Sequence, residues 1–211
     1  MKLFSTILKE GKAEQNIEKS RFICYAKPVE NKLEADEFIK YIKKKNKDAT
    51  HNVPAIVIGD KMQIQWASDD GEPQGTAGAP IVQMMVNEGI TNAVVVVTRY
   101  FGGVKLGTGG LVRAYTSSAK MGLNKSILCD VENSTSVTFE IDYTYLDKIK
   151  NLEKEGLFTI KEISYLEKVE IQLNCSEEDT IKTKELVMSL TNGMCKMSDE
   201  KNILIKLPRK S

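Results

Sequence analysis

The amino-acid sequence predicts an α+β protein of two domains that meet near residue 130. Four consecutive valines at 94–97 are typical of a strand covered on both faces, which requires helices packed against a sheet. Residues 130–211 show strand and helix patterns in the order βαββαβ, the order of a ferredoxin-like domain. Residues 1–129 carry 18 Lys and Arg against 13 Asp and Glu, whereas residues 130–211 carry 12 against 16. These net charges of +5 and −4 favour two domains, 1–129 and 130–211, with different surfaces.

The elements of the first domain can be predicted in order. A pair of strands is expected around "LFSTILKEG" and "KSRFICYAKPV", followed by a helix over residues 32–45, whose apolar residues recur near one face. The segments "VPAIVIGD" and "MQIQWASDDGEP" predict strands. A helix at "GAPIVQMMVNEG" follows, with Pro80 in its first turn. The valine strand then leads to a helix over about residues 111–125.

The second domain has its own sequence of elements. "STSVTFEIDYT" predicts a strand and "YLDKIKNLEKEG" a helix ended by Gly156, before two strands at "FTIKEISYLE" and "KVEIQLNC". Ser176 is the expected N-cap of a helix that ends before Gly193. The segment "CKMSDEKNILIKLP" predicts the closing strand.

Composition narrows the class of protein. With 41% hydrophobic and 28% charged residues, the 211-residue chain is typical of a globular protein. It has no apolar run near the roughly 18 residues of a membrane span, and the N-terminus turns polar too early for a signal peptide, so we expect a cytoplasmic protein with no membrane partner. Four scattered cysteines and one histidine predict buried free thiols and no metal site.

The segment "RYFGGVKLGTGGLVRAYTSSA" at 99–119 is the main candidate for binding, because its glycines lie between a strand and a helix. Free amides at a helix N-terminus and nearby cations suit phosphate or a nucleic-acid backbone, although a purely structural turn explains the glycines equally well. Neither nucleotide fingerprint is present, since Thr108 replaces the Walker lysine and Val112 the third Rossmann glycine. The candidate anion- or nucleic-acid-binding residues are Arg99, Gly102, Gly103, Lys105, Gly107, Gly109, Gly110, Arg113 and Ser117.

A second candidate is the acidic segment "SDDGEPQGTAGAP", whose carboxylates could gather a hard cation. Its Asp-Gly and Glu-Pro dipeptides are also typical of turns, the interpretation that we prefer. The lone histidine is either a loop residue or a base, and the two serines at 117 and 118 lack a nucleophile elbow. The accessory candidates are His51, Asp69, Asp70 and Glu72, and we predict no catalytic residue and no cofactor.

Four segments carry a resemblance to a known family: "SRFICYA", "ATHNVPA", "SDDGEPQGTAGAPI" and above all "NAVVVVTRYFGGVKLGTGGLVRAYTSSA". Residues 15–127 resemble the YigZ family of bacteria, whose N-terminal domain is shared with the eukaryotic translation regulator IMPACT. The βαββαβ tail is similar to the extra C-terminal domain of bacterial members. The resemblance implies an N-terminal domain of the ribosomal small-subunit protein five second-domain type, and a tail resembling the last domain of elongation factor G.

The family pattern falls on residues of the last three of these segments, and none of these residues has an assigned catalytic role in the family. They are His51, Asp69, Asp70, Gly71, Glu72, Pro73, Gly75, Thr76, Arg99, Tyr100, Gly102, Gly103, Lys105, Gly107, Gly109, Gly110 and Arg113. One departure follows His51, where many relatives have a cysteine and an aromatic residue and this chain has Val53 and Pro54. The departure weakens any role that pairs His51 with a neighbouring thiol.

The resemblance implies a non-catalytic cytosolic binding protein linked to translation regulation, which contacts RNA or a ribosome-associated partner. One alternative is an enzyme acting on a phosphorylated small molecule or nucleotide, with the acidic segment supplying a base or magnesium ligands. Another is a protein-interaction module that uses the ferredoxin-like tail. The sequence does not predict the oligomeric state.

Overall fold

The computed structural model describes residues 2–209. Its elements in chain order are β1 (Lys2–Ile7), β2 (Gly11–Ile17), β3 (Ser20–Pro28), α1 (Lys32–Lys45), β4 (His51–Ile58), β5 (Ile64–Ala67), α2 (Gly78–Asn87), β6 (Ala93–Tyr100), α3 (Gly107–Lys125), β7 (Leu128–Ile141), α4 (Tyr143–Leu152), a 3₁₀ turn (Glu153–Glu155), β8 (Thr159–Tyr165), β9 (Val169–Ser176), α5 (Thr180–Leu190) and β10 (Lys196–Pro208). Helices and sheets together confirm the α+β class. Within this described range, no helix is both long and apolar enough to cross a membrane.

The described chain divides into two compact units, one of residues 2–131 with 206–209 and one of residues 132–205. The end of β10 therefore belongs to the first unit, whereas the sequence placed all of 130–211 in the second domain. Arg209 explains the difference. Its backbone N–H donates to the carbonyl of Leu128 at 2.9 Å, and its Nε donates to the Asp130 carboxylate at 2.8 Å.

The first unit is built on an antiparallel sheet of order β2-β3-β6-β4-β5. All four valines of the central strand β6 are fully buried. Val95 and Val97 pack in the core cluster that includes residues of α2 and α3, and Val94 and Val96 pack in the cluster that includes residues of α1. The prediction of a strand covered by helices on both faces is therefore confirmed.

The start of the chain differs from the predicted strand pair. The segment "GKAEQNI" forms β2, which pairs with β3 across a two-residue turn, while β1 pairs with β7. We missed β2 because it is an edge strand with a mostly polar sequence, in which Ala13 is the one buried residue. Strand β5 is also shorter than predicted, and the residues after Ala67 form a loop.

The helices of this unit lie where the sequence predicts them, and one of them begins earlier than predicted. Helix α1 spans the predicted residues, and the Asn31 side chain caps it by accepting from the Glu34 N–H at 3.0 Å. Helix α3 begins at Gly107, four residues before the predicted start at Leu111. Glycine is a poor helix former, so the first turn carried no helical signal in the sequence.

The second unit has the strand order β10-β7-β9-β8 with helices α4 and α5, which confirms the predicted βαββαβ arrangement of a ferredoxin-like domain. Its core joins side chains of both helices to β7 and β9, among them Val137, Phe139, Leu146, Ile149, Ile171, Leu173 and Val187. One local prediction was wrong. The N-cap of α5 is Asp179, and Ser176 lies one turn earlier, where its hydroxyl accepts from the Asp179 N–H at 3.1 Å.

Candidate functional site

Four predicted accessory and anion-binding residues of the first unit meet in a charge cluster, which we define as His51, Asp70, Glu72 and Arg99. His51 and Arg99 are cross-strand partners at the adjacent ends of β4 and β6. The loop between β5 and α2 brings Glu72 beneath them, where Arg99 donates from Nη1 to Glu72 Oε1 at 2.7 Å. The side chains of Arg99 and Glu72 are only 5% and 4% exposed, so this is a buried ion pair.

The remaining contacts of Arg99 are also internal. Its Nη2 donates to the hydroxyl of Ser20 at 3.2 Å, and its guanidinium lies 5.4 Å and 5.3 Å from the rings of Phe22 and Phe101. The sequence predicted that Arg99 contacts a bound phosphate from the protein surface. In the structure its charge is balanced by Glu72 and its side chain is buried, so Arg99 is not part of the exposed binding surface that we describe below.

The Glu72 carboxylate has a second close donor, which the sequence did not indicate. Tyr115 of α3 donates its hydroxyl to Glu72 Oε1 at 2.7 Å. Burial and then this hydrogen bond raise the pKa of Tyr115, so the hydroxyl stays protonated as a donor. His51 Nε2 lies 3.7 Å from the same oxygen. The cluster therefore links β4, β6, the acidic loop and α3.

The acidic loop is fixed by separate partners for each of its carboxylates. Asp70 accepts from Lys43 Nζ at 2.5 Å and from the backbone N–H of Asn52 at 2.6 Å, and its carbonyl lies 2.8 Å from His51 Nδ1. Asp69 points elsewhere and accepts the N–H groups of residues 75, 77 and 78 at 2.8, 3.1 and 2.9 Å, which caps the N-terminus of α2. Burial raises the pKa of Asp69, but these three amides outweigh it and lower the pKa overall.

This arrangement favours the turn interpretation of the acidic segment over a cation site. Each carboxylate already has protein donors, and the three point to different elements. Within residues 2–209, no group of three His, Cys, Asp or Glu side chains is arranged to hold a metal ion. The four cysteines are free, and three of them are buried.

The structure explains why glycine is required at three of the five glycine positions in the 99–119 segment. A Cβ on Gly102 would lie 1.9 Å from the carbonyl oxygen of Lys19 in the β2–β3 turn, and Gly102 also donates its N–H to Ser20 at 3.3 Å. Gly103 and Gly107 have φ values of +90° and +69°, a conformation that favours glycine. Gly109 and Gly110 lie in the first turn of α3 rather than before it.

The same segment forms one wall of a cleft of about 460 Å³, which we call the α3 cleft. Its other wall is the end of β2 and the β2–β3 turn. The apolar lining consists of Ile17, Val104, Leu106 and Ala114, and the polar lining of Glu18, Lys105, Arg113 and Ser117. Leu106 at the N-cap of α3 makes no side-chain cap, and the first turn has no acid, so the first amides of α3 have no side-chain acceptor from the cap.

The two cations of the α3 cleft are exposed, and neither Lys105 nor Arg113 has an ion-pair partner within the part of the chain that the structure describes. Lys120, on the same helix, pairs with Glu88 at 2.5 Å. Ser117, another predicted binding residue, already has a partner within the protein, since the Gln15 side chain donates a hydrogen bond to its hydroxyl at 2.9 Å. The structure thus brings Lys105, Arg113 and the glycine turn to one cleft.

Comparison with known proteins identifies the family. Residues 18–123 match the profile of the Impact N-terminal domain, and residues 139–194 match a second profile described as Domain of unknown function (DUF1949). The chain is 45% identical over 190 residues to IMPACT family member YvyE of Bacillus subtilis, which covers 90% of this chain and 88% of that protein. It is 36% identical over 140 residues to IMPACT family member YigZ of Escherichia coli, which covers 65% and 69%.

A solved structure described as "Crystal structure of an hypothetical protein" is similar across both units. It is 28% identical with a TM-score of 0.58, and the match covers 93% of this chain and 97% of that chain. The resemblance seen in the sequence motifs is confirmed by these matches. Since one profile spans half of the chain and a relative spans nearly all of it, the chain belongs to the IMPACT family.

Proposed function

We propose that this chain is a non-catalytic cytoplasmic protein that binds RNA, alone or on the ribosome, in a role linked to translation regulation. The observation that carries the proposal is the α3 cleft, where Lys105 and Arg113 are exposed and unpaired within the described residues. Two other cations of this unit are, by contrast, paired with carboxylates of the protein, Arg99 with Glu72 and Lys43 with Asp70. Cations that lack an internal carboxylate are free to contact a phosphate.

The distribution of charge supports the same face. Over residues 2–131 and 206–209 of the first unit, there are 20 Lys and Arg against 14 Asp and Glu. Residues 132–205 have 9 against 15. A polyanion is therefore attracted to the first unit and repelled by the second. Membership of a family named after IMPACT supports the link to translation.

A protein-interaction role for the second unit is the alternative that an observation favours. Its net charge of −6 suits a cationic protein segment better than RNA. Such a role would accompany RNA binding by the first unit. In the charge cluster, by contrast, the carboxylates of Asp70 and Glu72 already have protein donors, which supports an architectural role over a catalytic one.

The test is equilibrium binding of the full chain to a short single-stranded RNA, titrated from low to physiological salt. Each lost phosphate contact should reduce the slope of log K against log salt by about 0.7 for a single strand. We expect Arg113→Ala to weaken binding and to reduce the slope by about this amount. Lys40→Ala removes the same charge from the exposed face of α1, which packs on the other side of the sheet, and should change neither quantity.

Magnesium nucleotide serves as competitor in the same experiment. RNA binding that nucleotide does not displace supports the proposal. Nucleotide binding without RNA affinity would support the enzyme alternative and contradict it, as would an Arg113→Ala variant with unchanged affinity and salt slope.

A further inference from the structure

The α3 cleft has chemically different walls, which restrict what can occupy it. One side is apolar, and the rim carries the two unpaired cations Lys105 and Arg113. Glu18 is the one acid that lines it, and within residues 2–209 this carboxylate has no salt-bridge partner. An occupant must therefore offer an anionic group, an apolar surface and a hydrogen-bond donor at once.

The volume of the cleft, about 460 Å³, is that of a site for a small molecule or a single unstacked nucleotide. An RNA duplex keeps its bases stacked inside a helix and cannot place one in such a cleft. Single strands can splay a base out, and protein sites that read RNA sequence mostly use this property. The dimensions therefore favour a single strand over a duplex.

The position of Glu18 is fixed by the fold. Glu18 and Lys19 form the two-residue turn between β2 and β3, with φ values of +44° and +65°. The close approach of Gly102 to the carbonyl of Lys19 holds this turn against the glycine segment. The backbone of Glu18 is fixed in this way, and a carboxylate at this position only accepts hydrogen bonds and repels phosphate, so it discriminates between occupants.

We propose that the α3 cleft binds one unstacked nucleotide of a single-stranded RNA, an inference that rests on the proposed function. The phosphate lies at Lys105 and Arg113, the base lies on the apolar wall, and Glu18 accepts a hydrogen bond from an amino group of the base. Cytosine presents such an amino group at its C4 position, where uracil presents a carbonyl oxygen that a carboxylate repels. The cleft therefore selects cytosine over uracil.

The test compares labelled oligocytidylate and oligouridylate of equal length, about ten nucleotides, by fluorescence anisotropy with the full chain. We expect oligocytidylate to bind about five- to tenfold more tightly, the effect of one hydrogen bond to a charged group at a partly exposed site. Glu18→Gln should bring the ratio close to one and raise the affinity for oligouridylate, because the amide no longer repels phosphate or the uracil carbonyl. Glu37→Gln on the exposed surface of α1 is the matched control and should keep the preference.

A second variant tests occupancy without changing charge. Val104→Trp fills the cleft from its loop wall and should weaken binding of both oligonucleotides, with an unchanged thermal midpoint as the check on folding. Equal affinity for the two oligonucleotides, or a preference that survives Glu18→Gln, would overturn the inference. If Arg113→Ala still weakened binding in that case, the proposed function would stand, whereas no RNA binding by the unaltered chain would overturn both.

Discussion

The buried ion pair between Glu72 and Arg99 makes a quantitative prediction about stability. Removing one partner of a buried pair leaves an uncompensated charge and typically destabilises a protein by about 3–5 kcal/mol. Glu72→Met leaves Arg99 in this state, with a side chain 5% exposed, and also deprives the Tyr115 hydroxyl of its acceptor. For a unit of this size, such a loss lowers the thermal midpoint by about 10–15 °C.

The assay is a double-mutant cycle of Glu72→Met and Arg99→Met. Urea unfolding measures the free energy of unfolding of each variant, and calorimetry measures its thermal midpoint. The variant that carries both substitutions has no buried charge left from the pair, so its loss of stability should be well below the sum of the two single losses. Glu14→Ala breaks the exposed pair with Arg21 and should change the midpoint little. Additive losses in the cycle, or a single substitution as mild as Glu14→Ala, would refute the interpretation of the charge cluster as a buried structural element.

Three further predictions concern packing and pH. Gly102→Ala should cost about 1–3 kcal/mol in urea unfolding, because its Cβ would lie 1.9 Å from a backbone oxygen of the β2–β3 turn, whereas Gly109→Ala has room and should be neutral or stabilising. Asp69→Asn should destabilise α2 and make the free energy of unfolding depend less on pH in the acid range. The lowered pKa of Asp69 contributes stability above its unfolded pKa, and this stability is lost as the pH falls through the folded pKa. An unchanged pH profile of the free energy of unfolding would contradict the capping role. Burial raises the pKa of Asp130, but bonds from Arg209 and other donors lower it to about 2, so an NMR titration should find this midpoint near 2 and nearer the ordinary value in Arg209→Ala.

Local periodicity was enough to predict the core of the first unit. The run of four valines in β6 and the bounds of α1 follow from side-chain hydrophobicity and spacing over a few residues, and the structure confirms both. Strand β2 was not predicted because an edge strand buries few apolar side chains. The first turn of α3 was not predicted because its glycines have a low helix propensity. Where burial is shallow or propensity is poor, the sequence carries a weak signal.

The candidate site was harder to predict because its contacts are distant in sequence. The sequence predicted one binding region that holds Lys105 and Arg113, and both residues line the α3 cleft, but the partners of Arg99 could not be predicted from spacing. Glu72 precedes Arg99 by 27 residues in the sequence, and Tyr115 follows Glu72 by 43 residues. Glu18 reaches the α3 cleft only because the β2–β3 hairpin, itself not predicted, places its turn beside the glycine segment.

The measurement that tests the central claim most directly is the salt dependence of RNA affinity for the double variant Lys105→Ala, Arg113→Ala beside the unaltered chain. Loss of both cleft cations should weaken binding at physiological salt and reduce the slope of log K against log salt by about 1.4, two single-strand contacts of about 0.7 each. An unaltered chain with no measurable RNA affinity, or a double variant with the same affinity and slope, would contradict the assignment of the α3 cleft as the RNA-binding surface.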